Sequence, residues 1–465
     1  MAPRQSGWRT ARNVAPVPQP PRPDATLSLQ PSKPAQPSAA ATRRLPLGDV
    51  SDAAKWSVSF AAVLAYIYAA VTYGLPLVGP AVVVALLGLF FERHRIVFPS
   101  FMLLFALWVL WSAIGLSTSY QSDETLKQVT VLLKVFLIVF AIVNVVYNAW
   151  RVRTFIIFFL ACFAAYPARG TLVNYFIVRY TLFARALWNF IYGNSNDLAA
   201  LTFFPLSLTL ALILTEKKGW VKNVAFVGAG VLTLIILLTQ SRGALIALVA
   251  TGLIFFVTQA RGKRIKTVLI ATVVGVLILP LVPSSAWQRF SGLSKLTNTA
   301  TIAEADPEGS ADARYNIWRV ARQIISENPV TGIGLGAYSL AHATYTGRML
   351  VPPAARGFRD THSTYLNVAA ETGVPGLILF MAMIATVVAG AEVTRRRAAG
   401  TPRARQLFAL ELGLLAFLMH GIFGSLAKLS FLYIQLATIW ALTDVTRREI
   451  AANTASLPWG PRRRP

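Results

Sequence analysis

The sequence predicts an all-α polytopic membrane protein with about 12 transmembrane helices. Two observations carry this. Apolar stretches of about 17 to 22 residues, the length that crosses a bilayer core, recur along a 465-residue chain that is 55% hydrophobic and has a mean hydropathy of +0.55. None of them alternates apolar and polar residues as a transmembrane β-strand does. The basic residues, which give a formal charge of +25, fall in short clusters between these stretches. That is the positive-inside pattern rather than the footprint of a nucleic-acid binder.

Taken in order, residues 1–50 are rich in Pro, Ala, Ser and Gln without a hydrophobic period and are expected to form a disordered cytoplasmic tail. The first apolar run starts near Trp56, too late for a cleaved signal peptide. Spans are read near 55–73, 76–91, 99–116, 128–148, 154–168, 197–215, 223–239, 244–259 and 267–284, so that 51–284 carries nine helices. Residues 285–372 form a large extracytoplasmic loop, 373–445 carry three further spans near 373–391, 406–426 and 429–444, and 446–465 form a basic cytoplasmic tail. With the N-terminal tail inside, "ERHR" (92–95), "RVR" (151–153), "EKKGWVK" (216–222), "RGKRIK" (261–266), "RRRAAGTPRAR" (395–405) and "RRE" (447–449) all lie inside, and an even count brings both termini to the cytoplasm.

The outer side then receives 117–127, 169–196, the tight turn "QSRG" (240–243) and the 285–372 loop, whose length gives room for a subdomain. Within the loop a helix is expected from about Asp312 to Ser326, followed by Asn-Pro and a glycine-spaced turn, and a second from near Thr361 to a cap at Gly373. The segment 169–197 alternates aromatic residues with arginine and is compatible with lying flat on the membrane surface.

A single cysteine, Cys162, excludes an internal disulfide, and His94, His342, His362 and His420 are too scattered for a metal cluster, so no metal site is expected. Arg242 sits at the mouth of the tight turn, before a helix N-terminus that attracts anions; the bland alternative is an arginine snorkelling at a helix end. Arg314, Arg319 and Arg322 share the loop helix, where each reads singly as a solvated side chain and together as a phosphate-binding fork. His362, with Asp360, Ser363 and Tyr365 around it, could accept a proton near neutral pH or be structural. Glu371 lies nine residues on, and its plain reading is a partner for a nearby arginine. "TGIGLGAY" (331–338) follows no strand and lacks a phosphate-loop lysine, so a turn with close backbone approach is expected instead of a nucleotide loop. Lys134, Glu411 and His420 interrupt apolar runs, and Lys134 is placed to point up into a phosphate-carrying cavity. "GNSND" (193–197) reads as a helix N-cap, with Asn196 a possible sugar ligand.

The order of "NSND", "QSRGALIAL", "ARYNIWRVARQIISENPVTGIGLGAY" and "THSTYLNVAAETGVPG" resembles the O-antigen ligase and polymerase family of bacterial membrane glycosyltransferases, over roughly residues 50–445. The resemblance implies a GT-C-like architecture in the inner membrane, which makes the large 285–372 loop periplasmic, and a metal-independent enzyme without a cofactor. Its donor is an O-antigen linked to undecaprenyl diphosphate, and its acceptor at the periplasmic face is the lipid A-core. A polymerase, whose acceptor is another carrier-linked repeat, is the alternative. A transporter of lipid-linked sugars fits less well because the charged candidates gather at one face and no internal repeat is visible. Carried over by position, Arg242 and Arg314 bind the diphosphate, His362 is the general base, and Glu371 matches the family's acidic residue. Arg319, Arg322, Lys134, Tyr365 and Asn196 are secondary candidates. Membrane lipids are the other expected partners, and nucleic acid is not.

Overall fold

Long runs of Leu, Val, Ile, Phe and Ala with few interior breakers leave helix as the only way for most of this chain to satisfy its own backbone polar groups in an apolar medium. The computed structural model describes residues 55–92, 96–258, 261–291 and 310–455. The expected disordered tail, most of the "ERHR" loop and the end of the basic C-terminal tail lie outside the described residues. Among those described there is no strand, only an isolated bridge between Leu182 and Arg185.

The helices are α1 (Val58–Thr72), α2 (Val78–Phe91), α3 (Ser100–Ile114), α4 (Ser122–Val145), α5 (Ala149–Phe163), α6 (Ser195–Thr215), α7 (Trp220–Leu238), α8 (Arg242–Thr258) and α9 (Arg261–Ile278). In the large loop follow α10 (Ser284–Ser291), α11 (Ser310–Glu327) and α12 (Tyr338–Thr346), and then α13 (Thr364–Arg397), α14 (Pro402–His420) and α15 (Ser430–Ala455). Helices occupy each of the 12 stretches read as spans, but six are long and apolar enough to cross a membrane by themselves: Ser100–Thr118, Ser122–Val145, Ala149–Val178, Ser195–Thr215, Trp220–Leu238 and Thr364–Arg397. The helices Val58–Thr72, Val78–Phe91, Arg242–Thr258 and Thr272–Leu281 are apolar but shorter.

At the centre, α6 is enclosed along most of its length and packs against α7 and α14. Interhelical contacts are rich in aromatic rings: Phe105 of α3 stacks on Tyr433 of α15 at 4.7 Å, and Phe159 of α5 meets Phe204 of α6 at 4.8 Å and Phe431 of α15 at 5.5 Å. Such close packing is the main source of helix association where lipid is as apolar as the side chains.

The loop has a small core of its own. Ile317, Val320, Ala321 and Ile324 form one stripe of α11, and of these Val320, Ala321 and Ile324 pack with Ile333, Tyr338, Ala341, Tyr345, Val351 and Ala370. The helix expected at about Asp312–Ser326 thus runs Ser310–Glu327. The helix expected from Thr361 starts at Thr364 and does not end at Gly373. Gly373 takes φ +70°, ψ −179°, and the chain kinks there and continues helically to Arg397. Only glycine adopts that backbone cheaply, and a Cβ at this position would lie 1.9 Å from the Val330 carbonyl oxygen.

The segment 169–197 has two parts. Its first part prolongs α5 to Val178 through two π-helical turns, one of them around Pro167, whose missing N–H loosens the ladder. The rest folds back: Ala186 N donates to Leu238 O at 2.9 Å and Gln240 Nε2 to Ala184 O at 2.8 Å, which tie it to the end of α7.

Candidate functional site

Three segments remote in sequence supply the polar side chains around a cavity of about 490 Å³, and Phe423 from a fourth helps to wall it. The first is the turn before α8. Gln240 takes φ +51°, Ser241 is buried, and Ser241 O accepts from Leu245 N at 2.9 Å, so α8 opens with Arg242 in its first turn. Unsatisfied N–H groups at such a terminus carry partial positive charge. The second is the fold-back between α5 and α6, which supplies Arg185. Its Nε donates to Thr239 O at 2.8 Å and its Nη2 to Asn196 Oδ1 at 2.7 Å. Asn194 caps α6 by accepting from Asn196 N at 2.8 Å. The third is the N-terminal part of α11, which supplies Arg314.

Arg185, Arg242 and Arg314 therefore line one cavity with Asn194, Asn196, Gln240 and Ser241, while Leu182, Phe183 and Phe423 form its apolar wall. No carboxylate is among these lining residues. Three guanidinium groups around one space suit an anion with several oxygens, because each brings a permanent positive charge to the wall, although Nε and Nη2 of Arg185 are already engaged with Thr239 and Asn196.

His362 is not among the lining residues but adjoins them. Both its flanks are fixed to the turn that carries Phe423: Thr361 Oγ1 and Ser425 Oγ are 2.8 Å apart, Thr364 N donates to Gly421 O at 2.8 Å, and Thr364 Oγ1 donates to Gly424 O at 2.6 Å. Trp318 Nε1 of α11 donates to Thr361 O at 3.0 Å, which ties the same segment to the helix bearing Arg314. Held on both sides, His362 takes φ +49°, uncommon for a residue with a Cβ. Partial burial pushes its imidazole pKa below the ordinary value, and Arg314 and Arg359 push the same way, while Asp360 opposes them. The neutral ring of a base is favoured.

Glu371, Arg319, Arg322, Lys134, Tyr365 and Glu411 do not line the cavity, whereas His420 lies behind its wall beside Asn196 and Gly243. Glu371 is fully buried; Lys428 Nζ stands 2.9 Å from its Oε1, and Asn367 Nδ2 donates to the same oxygen at 3.2 Å. Its partner is thus a lysine of the α14–α15 turn, where an arginine had been expected. "TGIGLGAY" braces this region. Gly332 and Gly334 have positive φ, Ile333 N donates to Ala370 O and Gly334 N to Glu371 O, both at 3.0 Å, so the close backbone approach is to the chain itself. Arg319 and Arg322 are exposed on α11, and Arg319 Nη1 donates to Asn316 Oδ1 at 3.3 Å.

Lys134 does not reach the cavity. The buried face of α4 is Leu132, Val135, Ile138, Val139 and Ile142, and Lys134 projects off that face and is exposed. Tyr365 donates through its hydroxyl to Leu418 O at 2.7 Å, Glu411 pairs with Arg395 Nε at 2.8 Å, and His420 is buried against Phe203.

Sequence reasoning missed Arg185. The only signal for it was the arginine-aromatic alternation of "VRYTLFARALWNF", which does not say which arginine turns inward.

A family model described as O-antigen ligase matches residues 227–381, a segment that contains Arg242, Arg314, His362 and Glu371 and excludes Arg185 and Asn196. No curated protein matches the chain.

Proposed function

We propose, from the match of residues 227–381 to the O-antigen ligase family model, that the chain belongs to that family and transfers a glycan from undecaprenyl diphosphate to the lipid A-core. The observation that carries this reading is the convergence of Arg185, Arg242 and Arg314 on one cavity beside His362. In the reaction His362 accepts the proton of the acceptor hydroxyl, the acceptor oxygen bonds to the anomeric carbon, and the bond from that carbon to the diphosphate oxygen breaks. The diphosphate leaves with the electron pair, and the imidazolium returns its proton to solvent. The arginines meet the negative charge that develops on the leaving group, a contribution of order 3 kcal/mol for one well-placed donor.

In this reading the 12 helical stretches are all crossings of the inner membrane in a GT-C-like arrangement, with both termini cytoplasmic and the cavity open to the periplasm. Exposed Phe183 of the cavity wall, with exposed Ile177, Val178 and Tyr180 earlier in the same segment, then lies at the level of the lipid that delivers the donor.

The test is transfer by purified full-length protein in the presence of chelator, from an undecaprenyl-diphosphate-linked glycan to lipid A-core, read as a gel shift of the acceptor. Wild type is expected to transfer and His362→Ala to be inactive while still inserting in the membrane. Lengthening of the carrier-linked glycan with the acceptor untouched makes the protein a polymerase. A rate lost to chelator and restored by magnesium overturns the assignment of charge neutralisation to the arginines.

A further inference from the structure

Two residues before the base, Asp360 makes a contact that the transfer reaction above does not use. Its Oδ2 accepts the backbone N–H of His362 at 3.3 Å, and the same oxygen lies 3.6 Å from His362 Nδ1. The first contact is a local turn of the kind aspartate commonly closes on the residue two ahead. It also fixes the carboxylate relative to the ring, because the His362 backbone is itself held by Thr361 and Thr364. The second contact is longer than a hydrogen bond and involves the ring nitrogen nearer the backbone, so Nε2 is the end that projects away.

We propose that Asp360 is a positioning residue that keeps Nδ1 of His362 protonated and facing its carboxylate, so that Nε2 is the nitrogen presented to the acceptor hydroxyl. This rests on the reading of His362 as base. When Nε2 takes the proton, the imidazolium gains a carboxylate partner at Nδ1, and the contact tightens as charge develops. Asp360 thereby stabilises the transition state more than the ground state, the condition for an effect on kcat rather than KM.

The charged and titratable groups around the pair are few. Arg314 of α11, Arg359 and Asp360 act on His362, and Asp197 of α6 and Tyr338 of α12 are within electrostatic range of Asp360. Of these, only Asp360 favours the charged imidazole. Removing its carboxylate must therefore move the acidic limb of the pH–rate profile to lower pH, whereas a residue that merely shaped the loop leaves the limb where it is.

The experiment is the pH dependence of kcat/KM and of kcat for full-length wild type, Asp360→Asn, Asp360→Glu and His362→Ala, with thermal unfolding in detergent as a control. Asp360→Asn is expected to lower kcat about 10- to 100-fold, less than for the buried aspartate of a serine-protease triad because Asp360 is half exposed. The donor KM should change less than about two-fold, with the limb displaced to lower pH, and Asp360→Glu should regain most of the rate. If Asp360→Asn does not fold, Asp360→Ser, which keeps an acceptor for the His362 N–H but no charge, is read in its place. An inactive His362→Ala beside an Asp360→Asn of wild-type kcat and unmoved limb overturns the inference alone. An active His362→Ala overturns the base assignment, and the inference with it.

Discussion

Replacing Arg314 by alanine takes one of three guanidinium groups from the cavity, and the size of the cavity sets the loss. A sphere of 490 Å³ has a radius of about 5 Å, so a phosphate seated within it lies roughly 5 Å from each arginine on the wall, and at an effective dielectric of about 20 each pair of unit charges contributes ~3 kcal/mol. Loss of that contribution to the leaving group corresponds to a fall in kcat/KM of about 100-fold. Arg314→Lys restores the charge but not the paired donors. It should recover only part of the loss and remain about 10-fold below wild type. The assay is transfer to lipid A-core at sub-saturating donor, with Arg319→Ala as the comparison, since Arg319 shares the helix but is exposed and bonded to Asn316. Arg319→Ala should stay within about two-fold of wild type because a solvated arginine contributes little. A folded Arg314→Ala within three-fold of wild type, or an equal loss from Arg319→Ala, refutes the assignment of the diphosphate to this cavity.

The acidic limb of the wild-type profile should lie below the ordinary imidazole value of 6.5, because a base must be deprotonated to act and burial, Arg314 and Arg359 all disfavour the charged ring of His362; Arg314→Ala should move the limb upward, opposite to Asp360→Asn, as measured by kcat/KM against pH. Lys428→Met should destabilise the protein by about 3–5 kcal/mol, because it leaves the Glu371 carboxylate, 1% exposed, without its ionic partner. The fall in melting temperature should be largely reversed by adding Glu371→Gln, and an unchanged melting temperature in Lys428→Met removes the pair from the account of how the loop is braced.

What sequence could and could not say follows from the range of each interaction. Helices were legible because length and apolarity are local properties. Arg242 stood out for a reason contained in a few residues, a tight turn before an apolar run, whereas the amphipathic repeat did not choose among Arg314, Arg319 and Arg322 and only the family resemblance pointed to Arg314; Arg242 and Arg314 both line the cavity. Arg185 was not legible because its orientation comes from Thr239, 54 positions away, and from Asn196 across a fold-back that the pattern of aromatics did not indicate. Lys134 shows the reverse. A charge in an apolar run flags itself, but the rotation of α4 against its neighbours decides where it points, and that is settled by Leu132, Val135 and Ile138 packing inward. Glu371 was visible as an acidic residue near a membrane surface, whereas its burial and its lysine partner depend on the turn after α14.

The kink at Gly373 joins these parts mechanically. Residues 364–372 belong to the loop, where Ala370 and Glu371 carry hydrogen bonds from Ile333 and Gly334, while residues beyond the kink run with α3 and α15. Val374 N, which a straight helix would have bonded within itself, donates to Pro329 O at 2.8 Å. One backbone group of the half beyond the kink is thus tied to the end of α11, the helix whose N-terminal part carries Arg314. His362 lies immediately before the same helix, and Trp318 ties its neighbour Thr361 to α11 as well. His362 and Arg314 are therefore both referenced to a helix anchored among other apolar helices, so the depth of that helix sets the height of both groups together. The proposed reaction between a lipid-held diphosphate and a water-borne hydroxyl requires that coupling, since an error of about 1 Å between base and anion costs on the order of 100-fold in rate.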